Sequence, residues 1–111
     1  MNDIQITLRN VKSSPALERR IREKADGLAK FHPGLQHVRV LVEQSERHST
    51  GARPFRVTIH AALPGRELTA DHDAHVDAFL ALRDAFNAMR RQLKDAAGVD
   101  RGEVKTHSLP A

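Results

Sequence analysis

Cysteine, tryptophan and tyrosine are all absent from this 111-residue chain, and its aromatic character rests on four phenylalanines. Without cysteine there is no disulfide staple, no thiolate nucleophile and no Cys-ligated zinc. So few aromatics argue against a platform on which single-stranded bases stack. The opening Met-Asn-Asp-Ile-Gln-Ile lacks the basic region and apolar run of a secretory signal, and no apolar stretch approaches the length of about 18 residues that a membrane span needs. A soluble, cytoplasmic protein with no membrane partner is expected. Also missing are a phosphate-cradling glycine loop, a Gly-x-Ser-x-Gly elbow and a His-Glu-x-x-His pair. The chain is therefore not expected to be an enzyme, nor to carry a cofactor or a small-molecule substrate.

What is present is charge with a bias. Eighteen Lys and Arg against fourteen Asp and Glu give a net charge of +4. The residues after Lys94 hold two bases, Arg101 and Lys105, and three acids, Asp95, Asp100 and Glu103. Met1 to Lys94 thus carries a net +5, and the basic character belongs to the folding part. The length suits one domain with one modest core. Its expected extent is residues 1–95, with 96–111 as a mobile tail.

Alternation marks the strands. Ile4, Ile6 and Leu8 alternate with Gln5, Thr7 and Arg9; Val38, Val40 and Val42 form a second set; Phe55, Val57, Ile59 and Ala61 a third. A short fourth strand runs through Leu68 and Ala70, after a Leu63-Pro64-Gly65-Arg66 turn of type II composition. Between the first two strands, Ser14 caps a helix whose first residue, Pro15, has no N–H to lose there. That helix buries Leu17, Ile21, Ala25 and Leu28 and stops at His32-Pro33-Gly34. A last helix, roughly Ala74 to Lys94, takes Asp71 and Asp73 as caps. The order β-α-β-β-β-α defines an α+β fold with two helices on one face of a four-stranded sheet. The other face, with Gln5, Thr7, Arg39, Glu43, Arg56, Thr58 and Thr69, stays wet.

At about 100° per residue the last helix separates into stripes. Phe79, Leu82, Phe86, Met89 and Leu93 fall on one face, Arg83, Arg90 and Lys94 on its flank, and Asp77, Asp84 and Asp95 beyond. A row of one sign beside the buried face suits a polyanionic partner. On the first helix Arg20 and Lys24 edge the apolar face, so the two basic edges line one surface if the helices pack side by side. The plainer alternatives are that Lys24 snorkels, that Arg20 pairs with Glu23 and that Arg91 pairs with Asp95. Lys30, and Arg47 and Arg53 of the polar loop between the second and third strands, are secondary candidates for RNA contact. His72 and His75 are spaced to share a helical face, but capping aspartates and exposed histidines at a helix start explain the same letters, and no bound metal is expected.

Several segments taken in order resemble one family. Ser14-Pro15-Ala16-Leu17 opens the first helix, Arg20 leads through Lys24 to Leu28, and Asp77, Phe79, Ala81 and Leu82 precede Arg91-Gln92-Leu93-Lys94. Over residues 3–95 this is similar to the hibernation-promoting factor and RaiA family of ribosome-associated proteins. The resemblance implies a fold similar to a double-stranded RNA-binding domain with an added first strand. It implies binding to small-subunit rRNA in the channel used by messenger and transfer RNA. It also implies translation inhibition by occlusion in stressed, stationary-phase cells. Arg20, Lys24, Arg90, Arg91 and Lys94 fall in the regions that carry the family's basic surface, and Arg83 joins them from the stripe pattern. The family's denser lysine run is replaced here by Asp95 to Asp100. The expected partner is the ribosome, with no DNA. The alternative is a regulatory module that meets another protein through the open sheet face or the tail.

Overall fold

In the computed structural model, which describes residues 3–45 and 53–100 and only the backbone of 72–75, 99 and 100, the chain order is β1 (Asp3–Arg9), α1 (Pro15–Phe31), β2 (His37–Gln44), β3 (Phe55–Leu63), β4 (Arg66–His75) and α2 (Ala78–Asp100). This is the expected β-α-β-β-β-α fold. The four strands form one sheet in sequence order. β1 runs parallel to β2, with Ile6 opposite Val40. A parallel pair cannot be closed by a hairpin and needs a crossover, which α1 supplies. The other pairs are antiparallel, with Val40 opposite Ile59 and Ile59 opposite Ala70.

Local chemistry sets the element ends. The Ser14 hydroxyl accepts from the Leu17 N–H at 3.2 Å, and Pro15 opens α1. Asn10, at φ 60°, ends β1 in the left-handed region that asparagine tolerates. Between β3 and β4, Pro64 cannot take positive φ while Gly65 sits at φ 76°, the combination a type II turn requires. The two helices and the inner sheet face enclose the core: Leu17, Ile21, Ala25 and Leu28 from α1, Val38, Val40, Val42, Val57, Ile59 and Ala61 from the strands, and Leu82, Phe86, Met89 and Leu93 from α2.

Several expectations are corrected. β4 is longer than its apolar letters suggest, pairing with β3 from Leu63–Arg66 to Phe55–His75. That ladder outweighs the helical periodicity of the segment, so α2 begins at Ala78 rather than Ala74, and it continues through Asp100 rather than ending at Lys94. Its cap is accordingly Asp77, whose Oδ1 accepts from the N–H groups of Phe79 and Leu80 at 2.8 and 3.3 Å. Asp71 lies in β4 instead, and Asp73 also falls within that strand. His72 and His75 fall in the strand too, so helical spacing does not apply to them. Finally, Phe79 is not part of the core: it is 40% exposed, in the first turn of α2. Residues 101–111, the greater part of the expected tail, lie outside the described residues.

On the open face Arg56 donates from Nε to Asp71 Oδ1 at 2.9 Å and pairs through its second nitrogen with Oδ2. The hydrogen bond from this guanidinium holds the Asp71 carboxyl below its ordinary value of 3.8, against the opposing effect of burial. A depressed carboxylate pKa stabilises the fold above the ordinary value, and that contribution is lost as pH falls through the depressed one. Urea unfolding at neutral pH and at about pH 3 is therefore expected to show a shallower acid loss of stability in Asp71→Asn than in the parent chain. In the core, Leu82→Ala is expected to cost about 2–5 kcal/mol. Phe79→Ala, at a half-exposed site, is expected to cost less than about half as much, and the same urea titrations check both.

Candidate nucleic-acid interface

Both helices must turn their apolar stripes to the same sheet face, which lays them side by side. Two aromatic contacts fix their relative direction. Near the start of each helix the Arg20 guanidinium sits 5.6 Å from the centre of the Phe79 ring. Farther along, Arg90 of α2 sits 5.0 Å from the ring of Phe31, the last residue of α1. The helices therefore run the same way, with a seam between them.

The seam opens into two depressions. One, of about 130 Å³, is lined by Lys24, Gly27, Leu28, Phe86, Asn87 and Arg90. The other, of about 400 Å³, is lined by Phe31, Asn87, Arg90, Arg91 and Lys94. Gly27 leaves the first one open, since a Cβ placed there meets no atom within 4 Å. Lys24, Arg90, Arg91 and Lys94 are thus brought to one groove, while Arg20 stands over Phe79 at the start of the seam and lines neither depression. The alternative pairing of Arg91 with Asp95 is not formed, and Lys24, Arg90, Arg91 and Lys94 make no ion pair with any described residue. Arg20 has a loose one, 3.5 Å from Glu23.

Arg83 is different. Its Nε donates to Asp84 Oδ1 at 3.0 Å and a second nitrogen lies 3.0 Å from the same oxygen. The separation of bases from acids along α2 therefore fails at this one arginine, because adjacent side chains reached each other where the helical projection set them apart. Lys30 is exposed in the last turn of α1. Arg53 lies at the base of the loop between β2 and β3, where its Nε donates to the Ser45 carbonyl at 3.0 Å. Arg47 is outside the described residues.

The aromatic partners were hidden from the sequence. Phe31 reads as the end of a helix and Phe79 as core, but each stands about two-fifths exposed with a guanidinium over its ring. Such contacts are worth about 0.5–1 kcal/mol at exposed sites. Their larger effect is to restrict the arginine rotamers while leaving N–H edges free to donate. Asn87, between the two depressions, adds an uncharged amide to the groove.

The opposite surface is built on another principle. Arg9 pairs with Glu43 at 3.5 Å, Arg39 with Glu67 at 3.2 Å and Arg56 with Asp71, while His60 lies 3.6 Å from Glu67 and 3.1 Å from the Thr69 hydroxyl. Cations on the sheet are neutralised across strands, whereas Lys24, Arg90, Arg91 and Lys94 have no acidic partner among the described residues. Among the described residues no group of three or more His, Asp or Glu is placed to hold a metal, and no helix is long and apolar enough to cross a membrane.

Comparison with known proteins agrees with this fold. Among solved structures, a ribosomal subunit interface protein from Coxiella burnetii superposes with a TM-score of 0.71 at 18% identity, covering 86% of this chain and 98% of that one. The N-terminal domain of Protein Y from Thermus thermophilus gives the same score and coverages at 20% identity. These likenesses establish the fold. A search of curated protein sequences finds no match. The sequence model described as sigma 54 modulation protein / S30EA ribosomal protein matches residues 4–98, in agreement with the resemblance carried by the two helices, and the chain belongs to that family.

Proposed function

We propose that this protein is a ribosome-associated translation inhibitor that lays the groove between α1 and α2 against small-subunit rRNA, in the channel used by messenger and transfer RNA. The reading rests on one observation: Lys24, Arg90, Arg91 and Lys94 line a single groove without carboxylate partners among the described residues, whereas the arginines of the sheet face are paired. A row of unneutralised cations repels itself in the free protein, and a phosphate backbone relieves that repulsion while releasing its own counterions. With only four aromatic residues to stack on bases, recognition is by shape, through phosphate and ribose contacts. Arg83 must give up Asp84 to join them, so its contribution is smaller than that of its neighbours.

Inhibition on this reading is occlusion. No bond is made or broken; the protein occupies space that messenger and transfer RNA need. Its place of work is the cytoplasm, and the resting, stressed cell is where such occlusion serves. The sheet face, self-neutralised and with little apolar anchor beyond Leu41, offers less to a protein partner.

Binding to purified ribosomes, followed by sedimentation at rising salt, tests this. Replacing Lys24, Arg90 and Lys94 together by alanine is expected to flatten the dependence of log affinity on log salt by about 2–3. Replacing Arg39 and Arg56 is expected to leave it unchanged. An unaltered slope in the triple variant would refute the groove as the rRNA surface.

A further inference from the structure

The two edges of the sheet are treated differently. At β4, a register irregularity opposite Phe55–Val57 disturbs the ladder, and the Gln92 side chain of α2 donates to the Thr69 carbonyl at 2.7 Å. Bulges and covering groups of this kind are how proteins blunt an edge. β1 has none of them: its pairing with β2 runs unbroken from Asp3–His37 to Arg9–Glu43, and it contains no Pro, Gly or Lys. Among the described residues, β2 is its sole strand partner.

The strand is also self-complementary. Asp3-Ile4-Gln5-Ile6-Thr7-Leu8-Arg9 keeps its pattern when reversed, with opposite charges at its ends, apolar residues at 4, 6 and 8 and polar ones at 5 and 7. From these features we infer that a second copy of this chain pairs with β1 in antiparallel register centred on Ile6. Asp3 then faces Arg9 of the second copy, Ile4 faces Leu8, Gln5 faces Thr7, and Ile6 faces Ile6. Parallel pairing would set Asp3 against Asp3 and Arg9 against Arg9, which like charges disfavour. A one-residue slip would put apolar side chains on the wet face, and a two-residue slip would lose both charge pairs.

Burial points the same way. Val38, Val40 and Val42 of β2 are at most 1% exposed, but their neighbours Ile4, Ile6 and Leu8 are only partly buried. The apolar row on the helix side runs out to the edge and ends there. A second copy continues it with Leu8, Ile6 and Ile4, and removes from water the backbone groups that β1 turns outward. On the open face the row Glu43–Arg9 is continued by Asp3 of the second copy, so signs alternate across the junction. The result is a continuous eight-stranded sheet whose two grooves, on the helix side, stay free.

The test is sedimentation velocity of the full chain over a concentration series, with two single charge reversals. The parent chain is expected to shift toward twice its mass as concentration rises. Asp3→Arg and Arg9→Asp alone are each expected to weaken self-association by at least about tenfold. Mixed in equal amounts, the two variants restore both cross-strand pairs and are expected to associate with each other as the parent does with itself. A parent chain that is monomeric throughout, single variants that associate like the parent, or a mixture that stays monomeric would each overturn the proposal. Ribosome binding by both variants, read in parallel, is expected to persist, which separates failure at this edge from failure of the groove.

Discussion

Everything in this molecule depends on the packing of two parallel helices against one face of the sheet. The constraint begins with β1 and β2. Because they are parallel, the chain must cross the sheet between them, and α1 is that crossing. Leu17, Ile21, Ala25 and Leu28 hold it down, and Leu82, Phe86, Met89 and Leu93 hold α2 beside it. Once both apolar stripes are buried, the flanks have no freedom left. Arg20 and Lys24 on one helix and Arg90 and Lys94 on the other must face the same seam, and Phe31 and Phe79 steady the arginines there. The core that stabilises the fold thereby places the groove.

Charge is spent in two ways on the two faces. On the sheet, arginines and carboxylates alternate across strands, which adds cross-strand attraction and leaves no strong field. In the groove Lys24, Arg90, Arg91 and Lys94 have no acidic partner among the described residues, at some cost in self-repulsion, and the folded state bears it because the surface is wet and screened. A polyanion recovers that cost on binding. The described residues thus leave one side almost neutral and the other with a row of unneutralised positive charge.

Much of this was legible in the residues. Strict alternation at Ile4–Leu8 and Val38–Val42, the Ser14-Pro15 helix start and the Pro64-Gly65 turn each state a local structure with its physical cause, and each is present in the fold. The errors fall where two local signals compete. Asp71, Asp73 and Asp77 are equally good caps by type, and only the ladder between β3 and β4, a non-local interaction, decides that Asp77 is the one used. Phe79 reads as core by period because a helical projection cannot show where the helix starts over the sheet. Convergence of Lys24 with Arg90, the pairing of Arg83 with Asp84 and the stacking of Arg90 on Phe31 depend on side-chain reach between elements, which spacing in one element does not encode.

The central claim is that the groove between α1 and α2 is the face that meets ribosomal RNA, and a structure of the protein bound to the ribosome addresses it most directly. The account predicts Lys24, Arg90 and Lys94 within hydrogen-bonding distance of small-subunit rRNA phosphates, with the paired arginines of the sheet face turned away. A complex in which the sheet face lies on the RNA and the groove faces solvent would contradict it.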